Sequence, residues 1–217
     1  EAIRRARVED PRPEASAYYD AFEAECALLS GDPARAYELA RRALGALGTG
    51  EALLRARASA ISALAAREEG YPRRALEGFD EAFQVDPGVL VRMGAAVPVH
   101  ILSSGGAIAD EVASILSWSP RFDVADEGMS VAVNTDDTGG EVCFSSSTGA
   151  VLACADAVRE GDETAEAFAL RLARAFTAAA FAPQVSLSAT DVSSLDGSNS
   201  VSRGGLDDLI GPGGLTD

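Results

Sequence analysis

The chain has 217 residues, of which 47% are hydrophobic and 24% are charged, a composition typical of a globular protein with a sizeable core. Its 34 acidic residues against 18 basic residues give a net charge of -16, which argues against binding to the phosphates of nucleic acids. No apolar run reaches the roughly 18 residues that a membrane-spanning helix needs, so we expect no transmembrane segment.

The start of the chain predicts the last turns of a helix that Pro11 terminates. The spacing from Ala6 to Pro11 recurs further along the chain from Ala82 to Pro87, which indicates the second helix of a structural repeat. In that interpretation Ala6 packs against a helix at residues 15–30. An unrelated short helix is the alternative.

Residues 14–48 predict two helices joined by a turn at Gly31-Asp32-Pro33, where the aspartate caps the second helix and the proline opens it. The first helix carries an apolar stripe at helical spacing, and the second carries small residues at regular offsets. These positions are Ala17, Tyr18, Ala21, Phe22, Ala24 and Leu28, followed by Ala36, Ala40 and Ala43. A glycine-rich loop at residues 45–50 ends the pair.

Residues 51–87 predict a second helix pair with its turn at Gly70. Small, aromatic and helix-ending residues follow the turn at offsets of 5, 4, 3 and 5, at Ala75, Phe79, Ala82 and Pro87. This spacing resembles the second half of a tetratricopeptide (TPR) repeat. The resemblance covers about the first 90 residues and implies, for residues 1–94, a helical-repeat scaffold that binds other proteins.

Two features depart from the TPR pattern. Ala40 occupies a position where a large residue is usual, and Gly31 and Gly70 are 39 residues apart instead of the usual ~34. Two repeats are also fewer than the roughly three that a stable stack needs. We therefore expect the C-terminal half of the chain to cover an open end of the helices.

From residue 95 the hydrophobic period changes to alternation, which predicts a small α/β domain over residues 95–183 and an α+β fold class for the chain. The expected order is a strand, a helix, three or four strands and a final helix. The predicted strands are 97–102, 121–124, 129–133, 141–144 and 150–155, and the predicted helices are 108–116 and one from an Asp162 cap to Pro183.

Residues 108–124, with the sequence IADEVASILSWSPRFDV, and the Thr148-Gly149 hairpin carry a second resemblance. They are similar to the small α/β domain of bacterial envelope proteins such as the TolB N-terminal domain, the curli secretion channel protein and lipoprotein activators of penicillin-binding proteins. The resemblance implies envelope assembly or protein recognition, and it carries over no catalytic residues.

Residues 184–217 are rich in Gly, Ser and Asp, a composition typical of a disordered tail. One apolar cluster interrupts this tail, at Leu206, Leu209 and Ile210. We predict that these three side chains are buried against a partner surface.

Several polar groups are candidate catalytic, anion-binding or metal sites, and each has a simpler structural interpretation. His100 lies in a strand pattern without a nucleophile, and Ser103-Ser104-Gly105-Gly106 is typical of a helix cap. The cysteines lack metal-binding spacing, and Trp118 is expected in the core. A possible calcium set at a hairpin tip departs from EF-hand spacing; its residues are Asn134, Asp136, Asp137 and Glu141. We expect no catalytic site, cofactor or metal.

Cys143 and Cys154 lie on either side of one predicted hairpin, and its loop length decides whether they meet. A two-residue loop at Thr148-Gly149 places the two cysteines directly opposite each other, within disulfide range. A three-residue loop, with Gly149 in a left-handed conformation, pairs Cys143 with Ala153 and separates the sulfurs. A disulfide would indicate an oxidising compartment and would leave Cys26 as a buried free thiol.

These features predict a non-enzymatic adaptor or scaffold of a bacterial cell-envelope assembly, located in the periplasm or at the cell surface. Its expected partners are other protein chains or copies of itself, and not nucleic acid. The alternative is a structural subunit of a homo-oligomeric assembly that uses its C-terminal tail to dock on a neighbour.

Overall fold

The fold combines helices with one mixed β-sheet, and the computed structural model describes residues 2–10 and 13–183. Eight helices and five strands lie in this described part, which makes the fold class α+β. The helices are α1 (Ala2–Glu9), α2 (Pro13–Leu29), α3 (Pro33–Ala46), α4 (Ala52–Glu68), α5 (Pro72–Val85), α6 (Gly88–Arg92), α7 (Ala107–Ser117) and α8 (Ala165–Ala180). The strands are β1 (Val97–Ser104), β2 (Phe122–Val124), β3 (Met129–Thr135), β4 (Gly139–Ser145) and β5 (Val151–Val158).

The turns after α2 and α4 are built in the same way. Gly31 and Gly70 adopt positive φ values of 76° and 77°, a conformation that costs a residue with a Cβ atom more than it costs glycine. The N–H groups of Asp32 and Tyr71 then donate to carbonyls five residues earlier, which satisfies the helix ends. A proline opens each following helix. Each turn therefore sends the chain back along the helix it has just left.

Small residues allow the paired helices to approach closely. α4 and α5 pack against each other, and a Cβ atom placed on Gly78 would lie only 2.9 Å from the Cβ atom of Ala63. Phe79 is fully buried beside them. Alanines fill most of the remaining buried positions of α2, α3 and α4, including Ala24, Ala36, Ala40, Ala43, Ala56 and Ala60. The helical region is therefore held by close backbone contact more than by large side chains.

The helix at the start of the chain packs on α2, partly through ion pairs. Arg7 of α1 lies 2.6 Å from Asp20 and 3.3 Å from Glu23, and Arg42 of α3 lies 2.5 Å from Asp20. Burial raises the pKa of Asp20, but hydrogen bonds from Arg42 and Arg7 outweigh burial and hold the pKa below its ordinary value. Asp20 thus joins three helices through one carboxylate.

The five strands form one sheet in the order β2-β1-β3-β4-β5. β1 is parallel to β2 and β3, whereas β3, β4 and β5 are successively antiparallel. Pro98 lies near the start of β1, as its missing N–H favours, but β1 is an interior strand. The pairing of β1 with β3 begins only at Val99, so Pro98 precedes that ladder.

The helices α7 and α8 cover one face of the sheet, and aromatic side chains fill the space beneath them. Phe122, Phe144 and Phe176 lie with ring centroids 6.1–6.4 Å apart. The opposite face of the sheet carries half-buried or exposed side chains, among them His100, Ala132, Cys143 and Cys154. The strands are therefore packed by helices on one side only.

The helical region and the sheet share one hydrophobic core. The ring of Phe83, on α5, lies 4.9 Å from Phe144 of β4 and 5.5 Å from Phe181 after α8. The buried carboxylate of Asp80 accepts hydrogen bonds from the backbone N–H and the hydroxyl of Ser147 in the β4–β5 loop. The C-terminal half therefore contacts the last helices of the N-terminal half, as the small number of helix pairs led us to expect.

Four local expectations were wrong. The N-cap of α8 is Thr164, whose side chain accepts from the N–H of Ala167, and not Asp162. Trp118 is 86% exposed because it follows the last turn of α7, where its side chain leaves the core. Two aromatic residues of the α2 stripe, Tyr18 and Phe22, are exposed, since the neighbouring alanines occupy the buried face. Cys26 is a free thiol, but it is exposed.

Candidate functional site

A groove between α2, α4 and α6 is the candidate functional site, and we call it the helical groove. It has a volume of about 550 Å³. Each of the three segments contributes three residues: Glu25, Leu28 and Leu29 from α2; Arg57, Leu64 and Glu68 from α4; and Val89, Arg92 and Met93 from α6 and its C-cap.

The walls of the helical groove are charged, while its floor is apolar. Arg57 lies 2.6 Å from Glu25, and Arg92 lies 2.5 Å from Asp86, so both arginines are ion-paired. The Nε atom of Arg57 is buried and makes no hydrogen bond within the described residues. Glu68 is exposed and forms no ion pair with any described cation. The groove therefore offers an apolar floor and the carboxylate of Glu68 to a bound chain segment.

Sequence reasoning did not find the helical groove. Its residues come from three helices that are separated by the two packing helices, and each residue alone is an ordinary helix residue. Leu29, the last residue of α2, is 82% exposed, but a single exposed leucine is common and does not indicate a site by itself.

Cys143 and Cys154 form a disulfide, with Cα atoms 4.2 Å apart. The hairpin contains the three-residue loop, because Ser146 N–H donates to the Ala150 carbonyl and Gly149 has a φ of 86°. A bulge then shifts the register between Phe144 and Ser145, so that Cys143 pairs with Cys154 and not with Ala153. The structure thus combines the three-residue loop with directly opposed cysteines, which the sequence predicted only for a two-residue loop.

The other candidate residues do not come together as a catalytic site in the described part of the chain. His100 is exposed on the open face of the sheet. Gly106 is the N-cap of α7, and the hydroxyl of Ser103 donates to Asp110 over 2.8 Å. Ser103-Ser104-Gly105-Gly106 thus connects β1 to α7, and the cap is a glycine and not a serine side chain.

The hairpin tip between β3 and β4 is organised around Asp136. Its carboxylate accepts from the hydroxyl of Thr138 at 2.6 Å and from the N–H groups of Thr138 and Gly139 at 2.7 and 2.9 Å. These hydrogen bonds, that from the Thr138 hydroxyl first, lower the pKa of Asp136 below its ordinary value. All three hydrogen bonds end on Oδ1, so this carboxylate serves to hold the turn.

Glu141, Cys143 and Cys154 bring their ligand atoms within 4.8 Å of one another, the one such metal-type group among the described residues. Both sulfur atoms belong to the disulfide, so the carboxylate of Glu141 is the single group there with a free ligand atom. With the disulfide formed, this group does not fit a metal ion.

A second apolar cleft lies between α7 and α8, beside Trp118, and has a volume of about 490 Å³. Ile115, Leu170 and Arg174 are among its lining residues. The predicted partner-binding residues Leu206, Leu209 and Ile210 lie outside the described residues.

Comparison of the chain with known protein families, with curated proteins and with solved structures gives no match in any of the three. Within residues 2–10 and 13–183, no helix has both the length and the apolar character needed to cross a membrane. Function must therefore be argued from the geometry of the described residues.

Proposed function

We propose that this chain is a non-enzymatic adaptor that binds a segment of another protein in the helical groove. The observation that carries this proposal is the combination of an apolar floor with charged walls in a groove lined by α2, α4 and α6. Protein-binding sites commonly have an apolar centre and a polar rim, and the side chains that bind most strongly fill pockets of this kind.

A TPR-like interpretation of residues 1–94 supports the same proposal. α2 with α3 and α4 with α5 are two helix pairs with matching glycine turns, and small residues lie at their close contacts. Stacked helix pairs of this kind form extended concave binding surfaces. The helical groove is lined by α2 and α4, the first helices of their pairs, and by α6, which follows the second pair.

The groove favours a partner segment with apolar side chains and a basic residue. Leu28, Leu64 and Met93 supply a half-buried apolar floor. The carboxylate of Glu68 lacks a cationic partner among the described residues, so an arginine or lysine of the bound segment would pair with it.

We further propose a bacterial-envelope location, in the periplasm or at the cell surface, since the Cys143–Cys154 disulfide persists in oxidising compartments.

Site-specific photo-crosslinking tests the groove. A benzophenone amino acid replaces Leu29 in the groove or Val8 on α1, two positions with matched exposures of 82% and 81%. We expect one defined partner to be crosslinked from position 29 in cells and not from position 8. A second variant, Glu68→Arg, should remove that product, because it replaces the free carboxylate with a cation. Equal crosslinking from both positions would contradict the proposal.

The location is tested by trapping free thiols at the moment of cell lysis and then counting them in the purified protein. One free thiol, that of Cys26, is expected if the protein resides in an oxidising compartment. Three free thiols would place the protein in a reducing compartment and would refute the envelope proposal.

A further inference from the structure

The edge of the sheet at β5 is separate from the helical groove, and no strand of residues 2–10 or 13–183 pairs with it. β5 pairs with β4 on one side and is the last strand in the sheet order. It is eight residues long, and Asp156 is its one charged residue. Natural edge strands are usually short, charged, bulged or covered, because an open edge can pair with another chain. β5 uses these protections only at its two ends.

The two ends of β5 are protected against pairing with another strand in different ways. Near the start of the strand, the register shift at Phe144/Ser145 leaves Leu152 as the extra residue and twists the edge. At the other end, the guanidinium of Arg171 donates to the carbonyl of Val158 over 2.9 Å, and Arg171 is itself held by Glu163. Residues 153–157 remain between these two features.

The pairing pattern shows which backbone groups of residues 153–157 point away from β4, toward the open edge. Arg159 N–H donates to the Thr138 carbonyl, so the alternate residues Ala153, Ala155 and Ala157 bond to β4. Cys154 and Asp156 occupy the alternating positions that do not bond to β4. The Cα atoms of Cys143 and Cys154 are 4.2 Å apart. This distance supports the assignment, because the residues of a non-hydrogen-bonded pair lie closer together than those of a hydrogen-bonded pair. The N–H and C=O groups of Cys154 and Asp156 therefore point outward.

Unbalanced negative charge lies directly beside this edge. Glu141 and Asp156 face each other on β4 and β5 in a pair of the closer type, and like charges in this arrangement repel. Neither carboxylate forms an ion pair with a described cation. The chain as a whole carries a charge of -16, and residues 97–217 carry 5 arginines against 18 acids. A second copy of this chain would add to the repulsion, whereas a basic segment would relieve it.

We infer that β5 accepts an extended basic segment of a partner protein as a sixth strand of the sheet. The N–H and C=O groups of Cys154 and Asp156 would make four main-chain hydrogen bonds to it, the usual source of affinity in strand addition. A lysine or arginine opposite Asp156 would lie on the open face with its Cβ atom ~5 Å from that of the aspartate. There it would neutralise the Glu141–Asp156 pair. The aliphatic stem of a further arginine on that face would contact the exposed side chain of Val158.

The test uses a fluorescent peptide of about eight residues, the length of a typical strand, that alternates valine with arginine. A matched peptide carries glutamate in place of arginine. Binding is measured by fluorescence anisotropy, and exchange of the Cys154 and Asp156 amides is followed by NMR with and without peptide. We expect the arginine peptide to bind, the glutamate peptide not to bind, and these two outward amides to become protected from exchange.

Variants at one position test the backbone contact and the charge. Asp156→Pro removes the carboxylate and also an N–H that the sheet itself does not use, so the fold should persist while peptide affinity falls at least about tenfold. Asp156→Lys should weaken the arginine peptide, whereas Asp137→Lys, the same charge change at the exposed β3–β4 tip, should leave its affinity unchanged. If Asp156→Pro does not fold, Asp156→Lys with its control decides the question.

Three results would overturn the inference. One is no binding of the arginine peptide, and another is equal binding to Asp156→Pro. The third is a dimer of the unliganded protein in light scattering that Asp156→Pro dissociates, because the edge would then belong to a second copy of the chain.

Discussion

The helical region and the sheet region of this molecule are stabilised in different ways, although they share one core. Small side chains and arginine ion pairs hold the helices, with Ala63 against Gly78 and Asp20 bound by two arginines. The sheet relies on an aromatic cluster around Phe144 and on the Cys143–Cys154 disulfide. Close helix contact requires residues with small side chains or none, whereas the sheet core requires large side chains that fill space. The two regions should therefore respond to opposite kinds of substitution.

Removal of the aromatic ring that joins the two regions should have the largest effect. Phe83→Ala deletes a buried ring that contacts Phe144 and Phe181, and it should lower the free energy of unfolding by about 3–5 kcal/mol. Urea unfolding, followed by circular dichroism of the helices and by NMR signals of the β3 and β4 amides, measures the change. Because the core is shared, both signals should move together. Phe22→Ala, at a ring that is 46% exposed, is the control and should change little. Separate transitions for the two signals in the wild-type protein would contradict a shared core.

The disulfide should stabilise the sheet region by about 2–3 kcal/mol, given the 11 residues that separate its cysteines. The double variant Cys143→Ala with Cys154→Ala should therefore unfold at a lower urea concentration than the wild type. Cys26→Ala, which removes the exposed free thiol, serves as the matched control and should leave the midpoint nearly unchanged. An equal loss from the control would show that the effect does not come from the bridge.

Addition of a single methyl group should test the close helix contact on which the helical region depends. Gly78→Ala places a Cβ atom 2.9 Å from that of Ala63, so overpacking should cost about 1–3 kcal/mol in spite of the better helix propensity of alanine. Gly45→Ala, in α3, has no atom within 4 Å of the new Cβ and should instead stabilise the protein by about 0.5 kcal/mol. Thermal unfolding of both variants measures the difference. Stabilisation by both substitutions would mean that α4 and α5 are not closely packed.

The smallest expected effect is a pH dependence of the helical region through Asp20. The folded pKa of Asp20 lies below its ordinary value, because the hydrogen bonds from Arg42 and Arg7 outweigh burial. Its contribution is therefore fully present above the unfolded pKa of ~3.9 and is lost as pH falls through the folded pKa. The arginines are partly exposed, so the contribution should be about 1 kcal/mol. The stability difference between the wild type and Asp20→Asn should be present at pH 6 and should shrink below pH ~4. A constant difference across this range would rule out the ion pairs as its source.

The turns and the order of the elements could be predicted from the sequence because their causes are local. A glycine that is free to adopt positive φ, followed by a proline at the start of a helix, specifies each helix turn within a few residues, as at Gly31 and Gly70. The alternation from Val97 onward likewise predicts a strand, because one face of that strand must be buried. These signals depend on neighbours in the chain and need no knowledge of distant contacts.

The candidate sites could not be predicted in the same way. The helical groove combines side chains from three helices, and nothing in the local sequence around Leu29, Arg57 or Met93 indicates that they meet. The open edge at β5 depends on the strand order, which decides whether a strand lies inside the sheet or at its border. Trp118 was expected in the core because of its size, but its exposure is set by where α7 ends relative to the sheet.

The hairpin between β4 and β5 shows where the sequence determines the structure and where tertiary contacts decide it. Local chemistry alone favours the three-residue loop, since Thr148 adopts positive φ poorly whereas Gly149 does so readily. That loop would separate Cys143 from Cys154. The pairing is restored by a bulge at Leu152, which places Ala153, Ala155 and Ala157 against the core and keeps Cys154 and Asp156 on the open face. The register is therefore set by which residues of β5 are buried, a contact with distant residues that local sequence does not encode.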